Sequence, residues 1–197
     1  MKYDPAKHHR RSIRLKGYDY TSPGAYFVTI CTHQRRCLFG DIVDGTMKLS
    51  RIGLFVQACW QRLPHHCSNV SLDEFIVMPN HIHGILFLGS SSPSDIALGQ
   101  GILESRKKVQ LNATSRQAPK SGSLGAIVRS FKSVTSRKIG QFREPPNRPV
   151  WQQNFYEHII RNEAALHQIR HYIQTNPQSW QDDRLHPQNA GLHNPSP

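Results

Sequence analysis

Two short constellations in the sequence carry residue types that do chemistry. In His81-Ile82-His83 the two imidazoles stand at positions i and i+2. On a strand those positions share a face, so both rings can reach one ion. Neutral imidazole is a common ligand of divalent metals. The pair alone is weak evidence, because the chain holds 12 histidines. Two packed or solvated rings is the plainer alternative. Its place directly after Pro79-Asn80, at the head of an apolar run, puts it near the rim of a sheet. The second constellation is Tyr172 with Asn176, four residues apart in Ile169–Asn176. On a helix they stack on one face and set a phenol beside an amide oxygen. Here the bland alternative is a packing tyrosine and a helix cap before Pro177. A phenol has an ordinary pKa of about 10, so at neutral pH it is a poor nucleophile. A Lewis acid that polarises a phosphate would make its attack feasible. Imidazoles, amide and phenol together could therefore set a nucleophile next to a metal site whose third ligand is the amide oxygen.

Charge points to the same kind of partner. The 197 residues carry 25 Lys and Arg against 13 Asp and Glu, a net charge of +12. Such a surplus favours a polyanion. It is concentrated in two stretches. One is the arm at 1–16, with Arg10, Arg11 and Arg14; the other, from Arg106 to Arg148, includes Arg129, Lys132, Arg137 and Lys138. These seven residues are candidate phosphate contacts, with an ordinary solvated face as the alternative for each. Trp151 and Tyr156 are candidate base-stacking rings, although an internal tryptophan more often belongs to a core. No run of about 18 apolar residues exists, so no membrane span is expected, and the basic N-terminus lacks the apolar segment of a secretory signal. The four cysteines form no CxxC pair, which favours free thiols in a reducing cytoplasm over a zinc finger.

The elements that must position these residues follow from periodicity. After a basic arm at 1–22, residues 25–32 (AYFVTICT) read as a strand, and 33–50 as loop with a short hairpin. Residues 51–63 show helical spacing stopped by Pro64. Strands at 70–78 and 81–88, joined by Pro79-Asn80, form a hairpin. Residues 89–123 lack periodicity and read as a flexible insertion. A helix at 124–139 has Leu124, Ile127, Val128, Phe131 and Val134 on its inner face. A strand at 150–160 follows, then a helix from Asn162 to about Asn176 with Ala165, Leu166, Ile169 and Ile173 inward. The tail 181–197 is expected to be disordered. The order spells an α+β, ferredoxin-like antiparallel sheet with helices on one face, plus a C-terminal helix carrying the tyrosine. The folded domain is expected over 23–180.

The strings VMPNHIHGILF, WQQNFYEHIIRNE and IRHYIQTNP, in that order, resemble the REP-associated tyrosine transposases, within the single-tyrosine (Y1) HUH transposase family. The resemblance covers about 18–180, apart from the insertion. It implies that His81 and His83 bind the metal, Mg²⁺ or Mn²⁺, and that Tyr172 is the nucleophile. Mixed His and amide ligation does not itself exclude Zn²⁺ or Ni²⁺. Relatives carry a glutamine four residues after the tyrosine as a further ligand; here that position is the shorter Asn176. His158 is the alternative third ligand or a nearby acid/base, and Tyr156 the runner-up nucleophile. The implied activity is cleavage and rejoining of single-stranded or hairpin DNA, in the cytoplasm at the nucleoid, by a monomer or homodimer. The alternatives are a non-catalytic nucleic-acid-binding regulator on the same scaffold and an RNA-directed metal-dependent nuclease that uses water.

Overall fold

A computed structural model of the chain describes residues 15, 17–89, 119–143 and 148–189. The apolar strand β1, Gly24–Cys31, is followed by a hairpin of β2, Gly40–Val43, and β3, Thr46–Leu49. Asp44 and Gly45 both hold positive φ, at 50° and 68°. That is the requirement of a two-residue primed turn, and Asp-Gly meets it with least strain. Ser50 caps helix α1, Arg51–Gln61, by accepting from the Gly53 amide. Pro64, with no N–H for the Trp60 carbonyl, ends this helix as expected, two residues short of position 63. It lies in the first turn of a separate one-turn helix α2, Leu63–His66, where its missing N–H is not needed. Strands β4, Val70–Met78, and β5, His81–Leu88, flank the tight Pro79-Asn80 turn. Helix α3, Leu124–Gly140, strand β6, Tyr156–Ile160, and helix α4, Glu163–Thr175, complete the main elements.

The sheet order is β4-β5-β1-β6, and every neighbouring pair is antiparallel. This is the expected split-βαβ, ferredoxin-like arrangement. Period-2 alternation divides its side chains cleanly. Tyr26, Val28, Ile30, Ile82 and Leu86 face α1 and α3, meeting Val56, Trp60, Ile127 and Phe131. Ala25, Phe27, Ile85 and Phe87 face the other way, against Leu166 and Ile173 of α4. The register that sends Ile82 and Leu86 to the first face sends His81 and His83 to the second, beneath α4.

Three expectations need correction. The strand expected at 150–160 begins only at Tyr156; Val150-Trp151 touches the sheet through an isolated bridge to Thr32. Trp151 is buried core rather than a base-stacking ring, and its indole N–H donates to Thr135 Oγ1 at 2.8 Å. That bond explains the second difference. Thr135, not Val134, takes the inner position on α3, because the buried indole needs an acceptor; Val134 is exposed. Third, the expected disordered tail is structured as far as residue 189, with 3₁₀ turns at Asn176–Asp182 and Pro187–Asn189. Trp180 buries itself there against His81 and His186.

Gly84 lets α1 approach the sheet next to the histidine pair. A Cβ on it would stand 2.3 Å from Trp60 Cζ2, and that ring is already fixed by a stack on Phe75 with centroids 4.7 Å apart. Gly84→Ala is expected to destabilise the fold by about 1–3 kcal/mol through overpacking, read as a lowered urea midpoint with an unchanged slope.

Candidate active site

His81 and His83 open the central strand β5, so both rings are buried, at 0% and 2% exposure. Their Nε2 atoms lie 3.0 Å apart. Asn80 fixes how His81 presents itself. Its Nδ2 donates to the carbonyls of Arg35 and Leu185 at 3.0 and 2.8 Å, which leaves Oδ1 to face His81 Nδ1 at 2.8 Å. Oδ1 can only accept, so His81 carries its hydrogen on Nδ1 and shows a lone pair at Nε2. His83 Nδ1 meets the hydroxyl of Thr29 at 2.9 Å, a group that serves either tautomer. Burial pulls the His81 imidazolium down to about 3 and the His83 imidazolium well below its ordinary 6.5. Both rings are therefore neutral at physiological pH, the form that ligates metals.

Two buried oxygens complete the set. The side chain of Asp183 is 5% exposed, with Oδ2 3.8 Å from His81 Nε2 and no hydrogen-bond partner. Asn176, 3% exposed, also holds an unpartnered Oδ1, and its amide lies beside His81 and Tyr172. The ligand atoms of His81, His83 and Asp183 all lie within 4.8 Å of one another. An orphaned buried carboxylate oxygen beside two neutral imidazoles is costly unless a cation compensates it. This mixed nitrogen and oxygen donor set fits a divalent ion.

Tyr172 reaches the same point from α4. Its Oη is 3.2 Å from His83 Nε2, and its ring meets that of His83 edge-on at 5.1 Å. Phe27 meets the ring edge-on, with centroids 6.1 Å apart. Partial burial raises the phenol's pKa, and so does the Asp183 charge; Arg184 and Asn176 act in the opposite direction. The helix is held in register at the β-bulge between Leu72 and Phe75. There Arg170 makes a two-pronged contact to Asp73 at 2.8 and 2.6 Å, and Gln174 donates to Glu74. A bulge re-aims side chains off the sheet; here it supplies the acceptors that dock the tyrosine helix.

His81, His83, Tyr172 and Asn176, named from sequence, thus converge. His158 does not join them: it is exposed on β6, opposite Phe27. Tyr156 lines the wall of the cleft. Arg129, Arg137 and Lys138 are exposed on α3, the first two beside a shallow groove of about 410 Å³. Lys132 is not the free phosphate contact expected, because its ammonium donates to the carbonyls of Gln152 and Asn154. Arg10, Arg11 and Arg14 lie outside the described residues. Sequence reasoning missed Asp183, Asn80, Thr29 and Arg184. One signal was available: Trp180, three residues before Asp183, is a large apolar ring of a kind that disordered tails seldom carry.

An uncharacterized protein of Haemophilus influenzae is 44% identical over 191 residues, covering 94% of this chain and 97% of that one. The chain belongs to its family. No family model matches this sequence. A solved structure of a REP-associated tyrosine transposase bound to a REP hairpin superposes on this family member with a TM-score of 0.54 at 16% identity, over 86% of this chain and 74% of that one. This chain thus shares the fold of that structure. A candidate transposase of Deinococcus radiodurans superposes more loosely, with a TM-score of 0.43 at 14% identity, over 83% of this chain and 96% of that one.

The Arg170–Asp73 pair yields a test of how the tyrosine helix is held. Asp73 sits below its ordinary carboxyl range; its burial alone would raise it, and its bonds from Arg170 and the Glu74 amide outweigh that. The pair therefore stabilises the fold above the ordinary carboxyl pKa, and that contribution is lost as pH falls through the lowered value. Asp73→Asn is expected to lower stability by about 1–2 kcal/mol. It should also speed hydrogen exchange in α4 more than in β5.

Proposed function

We propose that this protein cuts and rejoins single-stranded DNA by the single-tyrosine chemistry of HUH transposases, with hairpin DNA as the substrate class. The observation that carries this reading is the 3.2 Å approach of Tyr172 Oη to His83 Nε2 beside the buried His81. A nucleophile and a metal-binding pair brought together from distant parts of the chain are what the reaction requires. Within this reading Tyr172 Oη attacks the scissile phosphorus in line, and the bond from phosphorus to the 3′ oxygen breaks. The phenol loses a proton and the departing oxygen gains one, leaving a 5′-phosphotyrosine and a free 3′-hydroxyl. The reverse step with another 3′-hydroxyl rejoins the strand without external energy.

His81, His83 and Asp183, with Asn176 beside them, would hold the divalent ion, Mg²⁺ or Mn²⁺. When bound, the ion supplies Lewis-acid polarisation of the phosphate. Asn80 and Thr29 orient the two imidazoles, and such outer partners commonly matter about 10- to 100-fold for affinity or activity. Arg184 at the cleft supplies positive charge for the phosphate oxygens. Because histidines and tyrosine come from one chain, a monomer suffices for the cut. The exposed Arg129, Arg137 and Lys138 suit a hairpin stem.

Incubation with end-labelled single-stranded hairpin DNAs and Mn²⁺ should give a covalent protein–DNA adduct, abolished by chelation and by Tyr172→Phe. Persistence of the adduct in that variant, or its absence with wild-type protein across a hairpin panel, would overturn the reading. Binding without any adduct is the outcome expected of the non-catalytic regulator. Separately, Asp183→Asn is expected to weaken Mn²⁺ binding by about 10-fold or more, measured by calorimetry. An unchanged affinity would remove Asp183 from the ligand set.

A further inference from the structure

The cleft that holds Tyr172 has about 700 Å³ of space, more than a phosphate and an ion occupy. Its other wall is the segment between the Thr32 bridge and β6, where Gln152, Asn154, Phe155 and Tyr156 line the cleft. The backbone of this segment is organised by one side chain. Lys132 Nζ, reaching from α3, donates to Gln152 O at 2.9 Å and Asn154 O at 2.8 Å, with Gln153 O at 3.5 Å. The same ammonium lies 5.6 Å from the centre of the Phe155 ring. The Gln152 amide is tied to the Cys31 carbonyl of β1 at 2.9 Å. Carbonyls that gather on a partly buried cation fix the backbone of a segment whose residues line the cleft. Tyr156 is braced edge-on against Phe27, with centroids 6.2 Å apart.

Two amides next to the Tyr156 ring, with Phe155 held between the core and Lys132 behind them, is nucleobase-recognition chemistry. A carboxamide offers a donor and an acceptor that match a base edge. Aromatic faces stack on any base and favour unpaired strands. We propose that residues 152–156 form a nucleobase subsite beside the scissile phosphate, and that Lys132 is the positioning residue that holds it. This rests on the strand-cleavage reading for its substrate class, but the subsite is testable by binding alone. Burying the ammonium works against its charge, and burial pulls Lys132 down to about 8. The three carbonyls and the Phe155 ring are what compensate it, which gives a physical reason for a lysine here rather than an apolar residue.

The experiment uses full-length protein carrying Tyr172→Phe, so that no cleavage intervenes, and short fluorescein-labelled homopolymers of dA, dC, dG and dT. Anisotropy should show affinities that differ at least about 5-fold among the four bases, the size of one good base contact. Adding Gln152→Ala and Asn154→Ala together should bring the four within about 2-fold while the fold stays intact, since a base-edge contact carries the preference. Lys132→Met should do the same and Lys132→Arg should restore most of the preference, a rescue that a merely structural side chain would not produce. Equal binding of all four bases, no binding of any, or an unchanged ranking in the double alanine variant would each overturn the subsite. If base ranking depends on these residues while wild-type protein forms no adduct, the subsite stands and the strand-transfer reading falls. If adducts form with the ranking untouched, the reverse holds.

Discussion

The rest of the site depends on two almost wholly buried imidazoles whose nitrogens are held 3.0 Å apart. Two lone pairs so close repel unless a hydrogen or a cation stands between them. Asn80 commits His81 to showing a lone pair, and Thr29 lets His83 answer in either form. The pair is thus prepared for a proton when alone and for a metal when one is present. Central placement in the sheet makes this possible. On an edge strand the rings would be solvated and would charge near their ordinary pKa; at the centre, burial keeps both neutral.

Around that pair the sheet separates two tasks by face. The first face is an apolar core in which Trp60, Phe131 and Trp151 interlock with the strands. It gives the strands their rigidity. The second face packs only part of its length against α4, at Ile85, Phe87, Leu166 and Ile173. Where that packing ends, His83, Thr29 and Cys31 border an open cleft, with His81 buried behind them. One strand therefore belongs to the core on one side and to the site on the other, and Gly84 between the two faces admits the Trp60 ring.

Three separate ties bring in the parts that are remote in sequence. Asp73 and Glu74, turned outward by a bulge, dock the tyrosine helix. Asn80 reaches across to the Leu185 carbonyl and so fixes the C-terminal segment that carries Asp183. Lys132 gathers the opposite wall. Each tie is a charged or amide side chain bonding across segments remote in sequence, and the partly buried ones, Arg170 to Asp73 and Asn80 to Leu185, also satisfy polar groups of the interior.

The sequence by itself determined what local physics encodes. Strand period gave the sheet, and helical spacing with the Asn162 cap gave α4. Residue type marked His81, His83, Tyr172 and Asn176. Their joint meaning came from a resemblance across three strings, since an HxH pair and a helical tyrosine are each commonplace. Only the tertiary structure decided what long-range contacts fix. Asp183 lies 102 positions from His81 (183 − 81), and no periodicity reports such a distance. Lys132 reads in sequence as a phosphate contact, and its donation to carbonyls of another segment is a matter of packing. His158 looked like a ligand until pairing set it opposite Phe27, exposed. Pattern along the chain reports which face a residue occupies; which other face it meets depends on packing that the pattern does not contain.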